Sequence, residues 1–123
     1  MNGTYYLVDT NILIHLGNGD EVITEFLQNK VVFVSFISEM ELLSKPGLSQ
    51  ENIRILQSMI SNCVVVDFNH EIKSDAIKLR RNNRLKLPDA IIAATFRYLK
   101  LPLLTADKDF KKISGIELLY LNI

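Results

Sequence analysis

The chain has a single cysteine, no excess of charge of either sign and no long apolar run. Cys63 alone can form neither an intrachain disulfide nor a cysteine-based zinc site, so a reducing cytoplasm is the expected compartment. Because 14 basic residues balance 14 acidic ones, no global basic field indicates nucleic acid, and none excludes it. No apolar run approaches the ~20 residues that cross a bilayer, and no signal-peptide pattern is visible. We therefore expect a protein that does not enter a membrane.

The chain also lacks a linker, an internal repeat and a low-complexity segment. Its length of 123 residues suits one hydrophobic core, and its apolar share of 48% is ordinary for a globular protein. We therefore expect a single domain that covers residues 1–123.

The sequence does contain a regular alternation of short apolar runs and helical patterns. The runs are rich in β-branched and aromatic residues and lie at 5–8, 31–36, 63–68, 101–105 and 116–121. Their nearly continuous apolar character is typical of strands that are buried on both faces of a parallel sheet. The sequence thus predicts a three-layer α/β/α sandwich with a central five-stranded parallel sheet. The strand order 3-2-1-4-5 is the usual one for such a doubly wound sheet.

Four acidic residues occupy places where such a sheet carries function. Asp9 ends the first strand, and Glu41 lies in the helix after the second strand. Asp89 lies in the first turn of a helix that Pro88 should begin, and Asp107 directly follows the fourth strand. Strand ends and the helix starts that follow share one edge of a parallel sheet, so the four carboxylates should converge there. Such carboxylates repel unless a cation neutralises them, which indicates a hard ion such as Mg²⁺ and a phosphodiester substrate.

Each acid also has a purely structural interpretation. Asp9 could cap the following helix, and Thr10 or Asn11 could do so equally well. Glu41 follows Ser38 in the S-x-x-E pattern of a capping box. Asp89 could merely complement a helix dipole, and Asp107 could begin a turn or cap a short helix.

Four segments together resemble a PIN domain, and within that group the toxin ribonucleases of VapBC-type toxin–antitoxin pairs. They are LVDTNILI at 7–14, SFISEMELL at 35–43, LPDAIIAATF at 87–96 and LLTADKDF at 103–110. No single motif is decisive, but all four occur in order and at the usual separations. The resemblance covers nearly the whole chain.

The resemblance implies a PIN-like nuclease domain that acts as a Mg²⁺-dependent endoribonuclease, with Mn²⁺ as an alternative ion. The implied catalytic residues are Asp9, Glu41, Asp89 and Asp107, of which Asp9, Asp89 and Asp107 are the implied metal ligands. Asn11 and Thr105 would orient the first and last acids, and Asp109 would support them. The resemblance further implies an RNA substrate, a small cognate antitoxin and a homodimer.

A basic stretch, KLRRNNRLK at residues 78–86, leads directly to the third acid. A solvated helix end would explain it without any function, because cations are favoured there. Its position beside the acids equally indicates binding of RNA phosphates. The candidate RNA-binding residues are Arg80, Arg81, Arg84 and Lys86. The first two could instead contact a partner protein.

Two other functions remain open at this point. A receiver-type phosphoacceptor domain has a similar length and a mid-chain aspartate comparable to Asp67. It also needs an acidic pair near Asp9 and a lysine after the last strand, whereas here Thr10 follows Asp9 and LLYLNI ends the chain. A catalytically silent binding module of the PIN fold is the second alternative. The complete acidic set argues against it, and only an activity assay can decide.

Overall fold

A parallel sheet forms the centre of the protein in the computed structural model, which describes residues 4–122. Its strands are β1 Tyr5–Val8, β2 Val31–Ser35, β3 Val64–Val66, β4 Leu103–Thr105 and β5 Leu118–Tyr120. Neighbouring strands all pair in parallel, in the order β3-β2-β1-β4-β5. The predicted five-stranded parallel sheet and its strand order are therefore confirmed.

Helices connect the strands in the predicted alternation. They are α1 Thr10–Gly17, α2 Glu21–Leu27, α3 Phe36–Leu43, α4 Gln50–Ser61, α5 His70–Asn83 and α6 Leu87–Leu99. A 3₁₀ helix, Lys108–Lys112, joins β4 to β5. None of the helices within residues 4–122 combines the length and the apolar character that crossing a bilayer requires.

Both faces of the sheet are covered by apolar clusters. Leu7 and Leu103 are fully buried against the cluster that includes the apolar sides of α5 and α6. Val8 and Leu104, their neighbours in sequence, are fully buried in the opposite cluster with residues of α1, α2 and α4. Since successive side chains of a strand point to opposite faces, these strands must be apolar at every position. The nearly continuous apolar runs of the sequence follow from this double burial.

The ends of several elements differ from the sequence prediction. The runs 63–68, 101–105 and 116–121 each supply a strand of only three residues. Pro88 was expected at the first helical position, but α6 begins at Leu87 and Pro88 takes the second position. The proline is tolerated there because the first backbone amides of a helix have no intrahelical acceptor. Asp107 was expected directly after the strand, but Ala106 separates it from β4.

Candidate functional site

Asp9 lies at the carboxyl end of β1 and caps α1. Its Oδ1 accepts a hydrogen bond from the backbone N–H of Ile12 at 2.9 Å, and its Oδ2 accepts one from the hydroxyl of Thr105. The residue is only 3% exposed. Burial raises the pKa of its carboxyl, while the bonds from Thr105 and Ile12 act in the opposite direction. The capping interpretation is thus confirmed, and two hydrogen bonds explain how a carboxylate is held among apolar residues.

Thr105 connects the first acid to the segment of the last one. This buried residue ends β4 and donates its hydroxyl proton to Asp9. The same oxygen accepts the backbone N–H of Asp107 at 3.0 Å. One side chain therefore fixes the relative positions of the β1 and β4 ends.

Asp89, Asp107 and Asp109 form the acidic cluster of the site. One carboxylate oxygen from each lies within 4.8 Å of one from each of the others. Burial and the negative charges of Asp107, Asp9 and Asp109 raise the pKa of Asp89 to about 6, with Lys86 acting in the opposite direction. The charges of Asp107 and Asp109 are thus close enough to disfavour the ionised form of Asp89.

These three side chains come from the first turns of two helices, the 3₁₀ helix after β4 and α6. Asp107 caps the 3₁₀ helix, because its Oδ1 accepts the backbone N–H of Asp109 at 2.9 Å. Asp109 lies in the first turn of that helix and approaches the ammonium of Lys112 at 3.6 Å. Asp89 lies in the first turn of α6. Asp109 was expected only to support the other acids, but one of its carboxylate oxygens belongs to the cluster itself.

Glu41 is positioned by a chain of hydroxyls rather than by a capping box. Its Oε1 accepts the hydroxyl proton of Thr10 at 2.8 Å, and the Thr10 oxygen lies 2.8 Å from that of buried Ser38. Since Thr10 has a single hydroxyl proton, Ser38 must act as the donor to Thr10. The cap of α3 is Ser35, whose Oγ accepts the backbone N–H of Ile37. The interpretation of Ser38 and Glu41 as a capping box is therefore wrong.

Asn11 was expected to orient Asp9, but Thr105 bonds Asp9, while Thr10, the neighbour of Asn11, bonds Glu41. Asn11 is exposed in the first turn of α1, and within residues 4–122 no hydrogen bond joins its side chain to any of the acids. Thr10 instead contacts Glu41 directly. The sequence does show a hydroxyl residue, Thr10, directly after Asp9. That its hydroxyl bonds Glu41 depends on the position of α3 and could not be read from the sequence.

The four basic candidates differ in their relation to the acids. Lys86 precedes α6 and lies close enough to Asp89 for its charge to offset part of the rise in the pKa of that carboxyl. Arg80 and Arg81 are exposed in the last turn of α5, and Arg84 is its exposed left-handed cap with φ 55°. Charges at that helix end are favoured by the helix dipole alone.

Comparisons with known proteins agree with this architecture. A family model described as PIN domain matches residues 6–116. A toxin–antitoxin complex from Klebsiella pneumoniae includes a chain that is 31% identical, with a TM-score of 0.79, 90% of this chain covered and 94% of that one. No curated protein matches the sequence.

Two further solved structures resemble the protein in fold. VapBC2 from Rickettsia felis, bound to a promoter DNA fragment, has a chain of 22% identity and TM-score 0.82, with 97% of this chain and 100% of that one covered. VapBC-1 from nontypeable Haemophilus influenzae has 24% identity and TM-score 0.81, with 95% and 98% covered.

Proposed function

Because the chain belongs to the PIN domain family, we propose that it is a metal-dependent endoribonuclease and the toxin of a toxin–antitoxin pair. The observation that carries the proposal is the cluster of Asp89, Asp107 and Asp109, with oxygens within 4.8 Å of one another. Such crowding is unfavourable in the protein alone and becomes favourable when a cation binds. Residues 1–123 would act as one nuclease domain in the cytoplasm.

The donor set of the cluster fits a hard divalent cation. All three ligand groups are carboxylates, which suit Mg²⁺ or Mn²⁺ better than a soft ion. Asp89, Asp107 and Asp109 would hold the ion, and Asp9 remains a proposed ligand whose charge already acts on Asp89. When bound, the ion supplies an activated water and stabilises charge on the leaving oxygen of the phosphodiester.

The chain's own residues prepare this site in two ways. Thr105 holds Asp9 and the backbone of Asp107 in fixed relation, so the carboxylates keep their spacing. Thr10, the residue after Asp9, holds the Glu41 carboxylate, which is exposed to solvent. Glu41 is therefore the proposed group that accepts a proton or orients water outside the cluster.

The test is cleavage of a single-stranded RNA by purified protein with Mg²⁺, Mn²⁺ or a chelator. We expect chelator to abolish cleavage and either ion to restore it. The products should carry 5′-phosphate and 3′-hydroxyl ends, because no histidine pair is placed to use the 2′-hydroxyl of the RNA. Asp89→Asn should lower the rate by about a hundredfold or more, since losing even an outer partner of a metal costs 10–100-fold.

Asp67→Asn is the matched control, because Asp67 is an exposed carboxylate that follows the edge strand β3. It should cleave like the wild type. Metal-independent cleavage, or products with 2′,3′-cyclic phosphate, would contradict the mechanism. Phosphorylation of one aspartate by a small phosphodonor, without RNA cleavage, would support a receiver-type domain instead.

The proposed partner is a small antitoxin protein. The Klebsiella pneumoniae structure with 31% identity is described as a toxin–antitoxin complex. We propose that the antitoxin places a basic or apolar segment near the acidic cluster, and that the toxin forms a homodimer. Expression of the wild type alone should arrest growth, whereas Asp9→Asn should not. Equal growth of both strains would exclude the toxin assignment and leave the nuclease assignment standing.

A further inference from the structure

Lys111 and Tyr120 form a cation–aromatic pair next to the acidic cluster. Lys111 lies in the 3₁₀ helix that Asp107 caps, and Tyr120 is the last residue of β5. The Lys111 ammonium lies 4.0 Å from the centroid of the Tyr120 ring. This distance is well inside the range of about 6 Å over which an aromatic ring attracts a cation. The ring therefore gives a long, flexible side chain a defined direction.

The register of the sheet places this pair beside the acids. Tyr120 pairs with Thr105 across β4 and β5, and neighbouring strands lie about 4.8 Å apart. Thr105 is the residue that binds Asp9 and the backbone of Asp107. The pair thus lies at the carboxyl edge of the sheet, one strand away from the centre of the site.

Lys111 forms no ion pair with the acids that the structure describes around it. Its neighbour Lys112 pairs with Asp109 at 3.6 Å. For Lys111, by contrast, no carboxylate of residues 4–122 comes within 4.0 Å of the ammonium, and the side chain is exposed. A cation that lies beside an acidic cluster without pairing to it is available to an anion from outside.

We propose that Lys111 binds a phosphate of the RNA strand adjacent to the phosphodiester that is cleaved, and that Tyr120 positions it. This inference rests on the proposed endoribonuclease function. A polyanion that crosses an acidic cluster needs cations on either side, because the cluster itself repels it. Lys86 supplies one near Asp89, and Lys111 supplies the other on the β5 side. The basic stretch at 78–86 is then only one half of the phosphate-binding surface.

The test is the cleavage kinetics of Lys111→Met on a single-stranded RNA oligonucleotide with saturating Mg²⁺. Methionine keeps the apolar stem and removes the charge. We expect KM to rise by about 3- to 10-fold, with kcat within about twofold of the wild type, because a phosphate contact positions the strand without entering the chemistry. The slope of log(1/KM) against log[salt] should become shallower by about 0.7, as for one lost phosphate contact on a single strand.

Two variants serve as controls for this effect. Lys111→Arg should restore KM, because arginine keeps the positive charge over the ring. Lys100→Met should behave like the wild type, since Lys100 is an exposed lysine at the end of α6, before β4 and therefore at the opposite edge of the sheet. A melting curve for each variant establishes that it folds.

Tyr120 is tested as a positioning residue with two substitutions. Tyr120→Phe keeps the ring and should retain the wild-type KM, whereas Tyr120→Leu should raise KM in the same direction as Lys111→Met but less. An unchanged KM and salt slope in folded Lys111→Met would overturn the inference while wild-type cleavage still supports the proposed function. A fall in kcat at constant KM would also overturn it. Absence of cleavage by the wild type would instead overturn the proposed function.

Discussion

The carboxylates on the two sides of the candidate site differ in the groups that surround them. On the side of β1 and α3, the carboxylates of Asp9 and Glu41 accept hydrogen bonds from the chain itself. On the side of β4 and α6, the carboxylates of Asp89, Asp107 and Asp109 crowd together, and repulsion helps to raise the pKa of Asp89. The protein thus stabilises the first group by its own donors, whereas repulsion persists in the second group although Asp107 accepts an amide bond and Asp109 pairs with Lys112. Carboxylates in one acidic patch can therefore have different physical roles.

The largest expected effect is the response of the crowded side to metal. Mg²⁺ or Mn²⁺ at ten- to a hundredfold above its Kd should raise the free energy of unfolding of the wild type by about 1–3 kcal/mol. Asp89→Asn should gain less, because it loses a ligand of the proposed site, and Asp67→Asn should gain as much as the wild type. Thermal melting with chelator and with metal measures the difference. Identical gains in all three proteins would mean that the acids do not share a metal.

The next effect is a pH dependence of the metal-free protein. Asp89 has its pKa raised from 3.8 to about 6 in the folded state, so the folded protein holds this proton more tightly than the unfolded chain. Its contribution to stability is therefore fully present below pH 3.8 and is lost as the pH rises to about 6. A tenfold change in proton affinity is worth about 1.4 kcal/mol. Because solvent screens this partly exposed carboxyl, we expect the change in the free energy of unfolding to be only about 1–2 kcal/mol.

Denaturant unfolding of wild type and Asp89→Asn in chelator, from pH 4 to pH 7, measures this loss. Subtracting one free energy of unfolding from the other removes the contributions of the carboxylates that both proteins share. We expect the wild type to lose stability relative to the variant across this range and the difference to level off above it. A difference that is independent of pH would mean that Asp89 ionises normally in the folded protein.

The smallest effect concerns the hydrogen-bonded side. In chelator, Asp9→Asn should be about as stable as the wild type or slightly more, because asparagine can still cap α1 and removes a buried charge. Asp9→Ala should be less stable by about 1 kcal/mol, because the Ile12 amide loses its acceptor. Denaturant unfolding of the two variants measures the difference. If Asp9→Asn unfolds as easily as Asp9→Ala, then the ionised carboxylate itself is needed to hold Thr105.

The sheet could be predicted from the sequence because its strands are buried on both faces. Leu7 and Val8 point to opposite clusters, so neither position can be polar, and the run is visible without any structural information. The ends of the strands were less predictable. The apolar run 63–68 pairs with β2 only at Val64–Val66, and Val64 is 45% exposed although it is paired. Strand length depends on hydrogen bonds with a neighbour, which an apolar run does not reveal.

It was likewise predictable that Asp89 and Asp107 lie together with Asp9 near enough for its charge to act on Asp89, because strand ends and the following helix starts share an edge of a parallel sheet. The contacts of Glu41 were not. Both Ser35 and Ser38 suit a helix cap, and the end of β2 decides which of them serves. Only when Ser35 caps the helix does Ser38 face Thr10, so a shift of one helical turn changes the whole hydroxyl chain. The contact between Lys111 and Tyr120 could not be predicted either, because it depends on the directions of both side chains.

The double role of the Thr105 hydroxyl has a consequence for local unfolding. The oxygen accepts the amide proton of Asp107 while its own proton is given to Asp9. Each bond polarises the other, so the two strengthen together. The start of the 3₁₀ helix and the start of α1 are thus joined through one atom, although they lie almost a hundred residues apart in sequence. We therefore expect transient opening of either segment to loosen the other, so that the acidic edge behaves as a single cooperative unit in hydrogen exchange.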